Sequence, residues 1–375
     1  MSPSRLGPEG QPQVLDIRQG HSSFSLGEEI LNGMRCQPRS LPSLLLWDDR
    51  GLEHFDRLSQ RPAYYPFHGD IEILCKYAPS ICSALPANGI LLELGCGSIR
   101  KTKLLLSGLR KQNKPIHYFA LDVSRESLET NLGQISSEFE DCHLITITGL
   151  LGTYDDCITW LSGLKRAQEN ISVTIMSLGN SFANMKKQEA SLFLERFHIA
   201  CRHAHLACHF IISTDICQND AKVLDAYDVQ TPEFQGFLLN ALESANLALD
   251  YQAFNPADWT TSARLDSCER ALDFYVTAKH DLLVTLPVSC NERETIAVRK
   301  EERVHLVTSG KWSKEAMGSI CEQARFQIQQ TWKDNAGDYC KHSIEPFSQS
   351  CAKWLINSRL RHVSTGTGSW TVKIT

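Results

Sequence analysis

The stretch Leu91-Leu-Glu-Leu-Gly-Cys-Gly-Ser98 holds the residues most suited to chemistry in this sequence. The apolar run Ile90–Leu94 is short and bounded by glycines, which reads as a buried strand. It leads into a turn containing Gly95 and Gly97, with Lys101–Arg110 following as a helix. Glycines at such a turn let the backbone approach a ligand closely. A second apolar run, Ile116–Leu121, ends at Asp122. An acid at that strand end can accept both hydroxyls of a ribose. The dinucleotide fingerprint G-x-G-x-x-G is not met, because Arg100 stands where the third glycine belongs. The spacing therefore favours a nucleoside over a pyrophosphate. A G-x-G taken alone is equally a plain structural turn.

A second cluster, Cys201-Arg-His-Ala-His-Leu-Ala-Cys-His209, has the residue types of a metal site. Cys201, His205 and Cys208 could share a helix face. The segment is also where a helix must end and run into a buried strand, and histidines near a helix C-terminus suit its dipole. No metal is expected here.

The elements that must position these groups alternate. His143–Thr148, Ser172–Leu178 and His209–Thr214 read as further strands. Helices are expected after Ser124 as N-cap, with Ser127–Leu132 inside that helix, and over Tyr154–Leu164 and Gln188–His205. Strands alternating with helices imply parallel βαβ units and a doubly wound sheet. After Asp215 the rhythm breaks. Asn219–Tyr227 and Thr231–Leu249 read as helices, and Ala271–Ala278, Thr295–Arg299 and Arg303–Ser309 as mostly antiparallel strands. Ser313–Ala324 is expected to be a helix and Phe326–Trp332 the start of a closing strand. Ser25–Leu58 reads as helical, broken by Pro38 and Pro42. Loosely attached ends are expected over 1–12 and 348–375.

Composition sets the bounds. The 375 residues are 42% hydrophobic and 22% charged, with a net charge of −5. That argues against a nucleic-acid partner. No apolar run approaches the roughly 18 residues of a membrane span, and the polar N-terminus lacks the apolar core of a secretory signal. The 14 cysteines show no C-x-x-C spacing, which suits a reducing cytoplasm.

The wider pattern resembles the S-adenosylmethionine (SAM)-dependent methyltransferases that trimethylate the α-amino group of histidine in ergothioneine biosynthesis. It also resembles their fungal relatives acting on tryptophan or prenylated tryptophan. The resemblance rests on Asp16-Ile-Arg-Gln19, Leu41-Pro-Ser-Leu-Leu45, Tyr64-Tyr-Pro66, Glu93-Leu-Gly-Cys-Gly-Ser-Ile-Arg-Lys-Thr102, Tyr118-Phe-Ala-Leu-Asp-Val-Ser124 and Gly149-Leu-Leu-Gly-Thr-Tyr-Asp-Asp156. It implies an α/β fold, with a Rossmann-like class I methyltransferase sheet and a second α+β substrate-binding domain. The expected division is 69–217 plus 312–347 for SAM and 13–68 plus 218–311 for substrate.

The same resemblance implies roles. Glu93, Gly95, Gly97, Lys101 and Asp122 would bind SAM, with Gly149 and Leu150 near its adenine. Asn184, Tyr227 and Ser309 would hold an amino-acid substrate, the first two at its carboxylate. Tyr64 and Trp47 would stand at the amine as the catalytic pair, Trp47 replacing a family tyrosine. Phe274 and Val307 would face the substrate ring. The histidine enzymes carry a glutamate where Val307 stands, so the imidazole would lose its partner and an indole would gain an apolar wall. The implied activity is N-methylation of the α-amino group of L-tryptophan. The alternatives are prenylated tryptophan, histidine, and a catalytically silent SAM-binding relative. A monomer with a small-molecule substrate, no membrane partner and no metal is expected.

Overall fold

The computed structural model describes residues 13–18, 26–97, 99–164, 171–289 and 291–347. The two expected loose ends, Gln19 and Ser98 lie outside the described residues. The chain opens with β1 (Gln13–Asp16), α1 (Leu26–Arg35), β2 (Arg39–Ser40), α2 (Asp49–Ser59) and α3 (Tyr65–Ala84). The alternating region is β3 (Gly89–Leu94), α4 (Ile99–Lys111), β4 (Ile116–Asp122), α5 (Arg125–Glu138), β5 (Ile145–Leu151), α6 (Tyr154–Ser162), β6 (Ser172–Ser177), α7 (Lys187–His203) and β7 (Ala207–Asp215). Then come α8 (Asp220–Ala226), α9 (Pro232–Leu249) and the strands β8 (Trp259–Asp266), β9 (Ala271–Ala278), β10 (Leu282–Pro287), β11 (Arg293–Val298) and β12 (Arg303–Gly310). The close is α10 (Lys314–Gln323), β13 (Phe326–Lys333) and β14 (Tyr339–Pro346).

The large sheet has eight strands in the order β1-β5-β4-β3-β6-β7-β14-β13. Strands β3 to β7 pair in parallel, and β14 enters antiparallel between β7 and β13. The parallel strands are apolar on both faces, as burial between two helical layers demands. Local signals set the helix starts. Ser124 accepts from the Ser127 N–H, and Thr153 with Asp156 forms a reciprocal cap on α6. This is the doubly wound, mostly parallel sheet that the alternation implied. A second core joins α1, α2, α8 and α9 to a four-stranded sheet, β2-β12-β9-β8, with the hairpin β10-β11 beside it. Among the described residues, no helix is long and apolar enough to cross a membrane.

Two elements, β1 and β14, depart from expectation. Residues 13–16, grouped with the substrate half by sequence, are the parallel edge of the large sheet instead, paired with β5. Within 26–58 the expected breaks at Pro38 and Pro42 are present, with β2 and a short 3-10 turn, Ser43–Leu46, between α1 and α2. Strand β14 lies inside the sheet although its residues Lys341 and His342 are polar. Both side chains are buried, because Asp70 receives the lysine, and Thr331 and Cys340 meet the imidazole.

Candidate active site

The strand order reverses between β3 and β6, so a crevice opens beyond the carboxyl ends of these strands. A cavity of about 1520 Å³ occupies it. Glu93, Gly95, Gly97, Lys101 and Asp122 line its sheet side. Trp47, Tyr64, Asn184 and Tyr227 line the far side, together with Phe274, Val307 and Ser309. One cavity thus collects most of the residues singled out by sequence, although they span some 260 positions.

The sheet side is built by the turn after β3. Gly95 has φ +74°, a conformation that side-chain-bearing residues rarely adopt. Its N–H and that of Cys96 both donate to the Leu121 carbonyl, at 3.0 and 3.2 Å, tying the turn to β4. A Cβ at Gly97 would meet only Leu52, at 3.7 Å, so the turn is open toward the cavity. The Glu93 carboxylate accepts from the Tyr118 hydroxyl at 2.6 Å and the Thr102 hydroxyl at 2.7 Å, which anchors the turn from behind. Asp122 is 8% exposed, with its carboxylate accepting from the Ser124 N–H at 3.1 Å. Burial raises the pKa of both acids. An open glycine turn facing a buried carboxylate at the next strand end fits a nucleoside with vicinal hydroxyls.

Lys101 reaches the cavity from α4 and is 2.9 Å from Asp70. The fully buried Asp70 also takes Lys341. Burial alone would raise the Asp70 pKa, but the two ammonium groups outweigh it and hold the acid at about 2. Of the two lysines, Lys101 is the one whose ammonium reaches the cavity, where it is suited to an anionic ligand group.

Gly149 and Leu150 are not on the cavity. A Cβ at Gly149 would lie 2.6 Å from Leu132 and 3.1 Å from Leu128, and Leu150 is fully buried in the core. Strand β5 runs on to Leu151, past its expected end at Thr148, so the cavity begins at Gly152, Thr153 and Tyr154. The Gly152 N–H donates to the Asp122 carbonyl at 3.0 Å, which sets this loop beside the acid.

The far side is aromatic. Tyr64 and Tyr227 have centroids 5.2 Å apart, and Tyr227 and Phe274 5.8 Å. Trp47 packs on Phe55 at 5.2 Å and on Phe237 at 5.3 Å. Phe55, Phe234 and Phe237 line the cavity without having been singled out by sequence. Their spacing on helices α2 and α9 is that of ordinary core residues, so no local signal marks them. Burial raises the pKa of the Tyr64 and Tyr227 hydroxyls, so both stay protonated at neutral pH.

Val307 stands opposite Phe274 in the β9–β12 register. A bulge between His305 and Val307 re-aims the strand. Leu306 then enters the core while Val307 and Ser309 face the cavity. Asn184 closes the 3-10 turn Ser181–Asn184 on the cavity wall. Among the described residues, no cluster of His, Cys, Asp or Glu is placed to hold a metal ion.

Residues 26–346 match the family described as histidine-specific methyltransferase, SAM-dependent. The N-methyltransferase benX of Aspergillus terreus is 39% identical over 332 residues, covering 87% of this chain and 90% of its own. The 4-dimethylallyltryptophan N-methyltransferase easF of Claviceps purpurea is 28% identical, covering 88% and 98%. Ergothioneine biosynthesis protein 1 of Neurospora crassa is 33% identical over 85% of this chain, which spans only 35% of that longer protein. With a family model covering most of its length and curated N-methyltransferase relatives, this chain belongs to the SAM-dependent histidine-specific methyltransferase family and is a SAM-dependent N-methyltransferase.

Proposed function

We propose that the enzyme N-methylates the α-amino group of L-tryptophan. The observation that carries this reading is Val307, an apolar side chain opposite Phe274 on the wall facing the substrate. A histidine placed there would strand an imidazole N–H, at about 1–3 kcal/mol. An indole gains apolar contact from Val307, Phe274 and the phenyl rings beyond. The breadth of that wall, extended by Phe234 and Phe237, keeps a prenylated tryptophan as the second reading.

In this reading, residues 69–217 and 312–347 hold SAM, and the four-stranded sheet with its helices holds the amino acid. Asp122 accepts the ribose hydroxyls, and Lys101 meets the methionine carboxylate. Asn184, Tyr227 and Ser309 hold the carboxylate of the substrate. When bound, SAM supplies an already activated sulfonium methyl. The task of the protein is then alignment and exclusion of water. The Tyr64 hydroxyl, kept protonated by burial, offers a lone pair to the substrate amine but is no strong base. The amine therefore sheds its proton to water before it attacks. The Trp47 face is suited to a methylated ammonium, at roughly 0.5–2 kcal/mol.

The test is a screen of the twenty amino acids, 4-dimethylallyltryptophan and tryptamine with SAM, read by mass spectrometry. Tryptophan should gain mass in steps of one methyl group, and tryptamine should be a far poorer substrate. Preferential methylation of histidine would overturn the assignment of Val307.

A further inference from the structure

Behind the cavity wall lies a buried ion pair that none of the above uses. Lys311 and Asp215 are both fully buried, with Nζ 3.2 Å from Oδ2. The lysine also donates to the Ser309 hydroxyl at 2.7 Å, and its ammonium sits 4.2 Å over the Tyr227 ring. Asp215 is held from the other side by the Tyr65 hydroxyl, at 2.7 Å. Burying a pair of this kind strips both ions of water, and an apolar pair is often as stable. Its placement at the base of the carboxylate site therefore calls for a reason beyond packing.

The Ser309 hydroxyl shows what that reason is. It also receives the Asn180 side-chain amide, at 3.2 Å. The orientation of this amide is set by chemistry. Its Oδ1 accepts the Asp215 backbone N–H at 2.8 Å, so its NH₂ must be the end facing Ser309. Lysine and the NH₂ group can only donate. A serine oxygen has two lone pairs and one proton. With both lone pairs occupied by Lys311 and Asn180, Ser309 can act only as a donor. Its protein acceptor is the Tyr227 oxygen at 3.5 Å, a long contact against the 2.7–2.8 Å usual for O–H···O. A cavity acceptor at the usual distance would take the proton in its place.

We propose that Lys311 is a positioning residue that fixes the polarity of Ser309, making this point of the site a dedicated donor to the substrate carboxylate. Asp215 neutralises Lys311, so the lysine can be buried without acting as an anion site of its own. The arrangement binds an acceptor at Ser309 and rejects an ammonium there, so the amino-acid zwitterion enters in one orientation only. This inference rests on the carboxylate role of Ser309 in the proposed function.

The experiment compares tryptophan with tryptamine for the wild type, Lys311→Met, Ser309→Ala and the double variant, with SAM affinity measured by calorimetry. In Lys311→Met, KM for tryptophan should rise by about tenfold or more, with kcat changed less and tryptamine turnover little affected. The double variant should be no more than about threefold worse than Ser309→Ala, because the lysine acts through the serine. A merely structural role would lower both substrates and SAM binding together. Lys311→Met leaves Asp215 as an unpaired buried charge. If that variant does not fold, Asp215→Asn/Lys311→Met is compared with Asp215→Asn, and the same rise in KM is expected on loss of the lysine. An unchanged KM, or full additivity with Ser309→Ala, overturns the role of Lys311. A wild type that accepts tryptamine as readily as tryptophan overturns instead the carboxylate reading on which it stands.

Discussion

Replacing Asp122 by asparagine tests the cofactor site while leaving its shape intact. The amide is isosteric, and its oxygen can still accept the Ser124 N–H that Asp122 takes at 3.1 Å. What is lost is the charge and one of the two acceptor oxygens, so one ribose hydroxyl faces a donor instead. A hydrogen bond to a charged group contributes about 1.5–3 kcal/mol, which corresponds to roughly a 10- to 150-fold rise in the SAM Kd. Burial adds a pH signature. It raises the Asp122 pKa, so on acidification the wild type should lose SAM affinity sooner than an ordinary aspartate, with pKa near 3.9, would allow. Asp122→Asn should bind weakly without that acid-side fall. Calorimetry with S-adenosylhomocysteine across a pH series measures both effects. A Kd within about threefold of wild type would refute the ribose assignment, since no hydrogen bond of this class is so weak.

Gly149→Ala should destabilise the fold by about 1–3 kcal/mol, through overpacking against Leu132 and Leu128, while SAM affinity of the folded variant is unchanged; denaturant melts and calorimetry separate the two. Val307→Glu should lower kcat/KM for tryptophan and raise activity on histidine, because the carboxylate supplies the imidazole N–H with a partner; competition between the two amino acids, read by mass spectrometry, gives the ratio. Burial depresses the His342 pKa from 6.5 to about 4. Between those values the unfolded chain binds more protons, so stability is full above about pH 6.5 and falls toward pH 4, by about 3 kcal/mol from this residue. His342→Asn should flatten that part of a melting-temperature profile.

Much of the large-sheet half is legible from residue order. A parallel strand buried on both faces must be apolar, a turn at φ +74° demands Gly95, and Ser124 caps its helix through its own hydroxyl. These are local requirements, so the local sequence carries them. The edge strand β1 and the inner strand β14 are different. Four residues are too few to show a period, and β14 hides its polar residues by pairing them with distant partners such as Asp70 and Thr331. The placement of Gly149 also depended on tertiary structure: the length of β5 decides whether that glycine meets a ligand or the leucines of α5, and strand ends are set by pairing with neighbours. The aromatic wall is the clearest case. Phe55, Phe234 and Phe237 look like core residues because they are core residues. Phe55 and Phe237 even pack on each other, at 5.5 Å, and only the placing of α2 and α9 beside the sheet brings a cavity to their edges. Lys311 shows the same limit from the polar side. Its type and number are plain in the sequence, but its effect on Ser309 depends on Asp215 and Asn180, which the fold brings from other strands and turns.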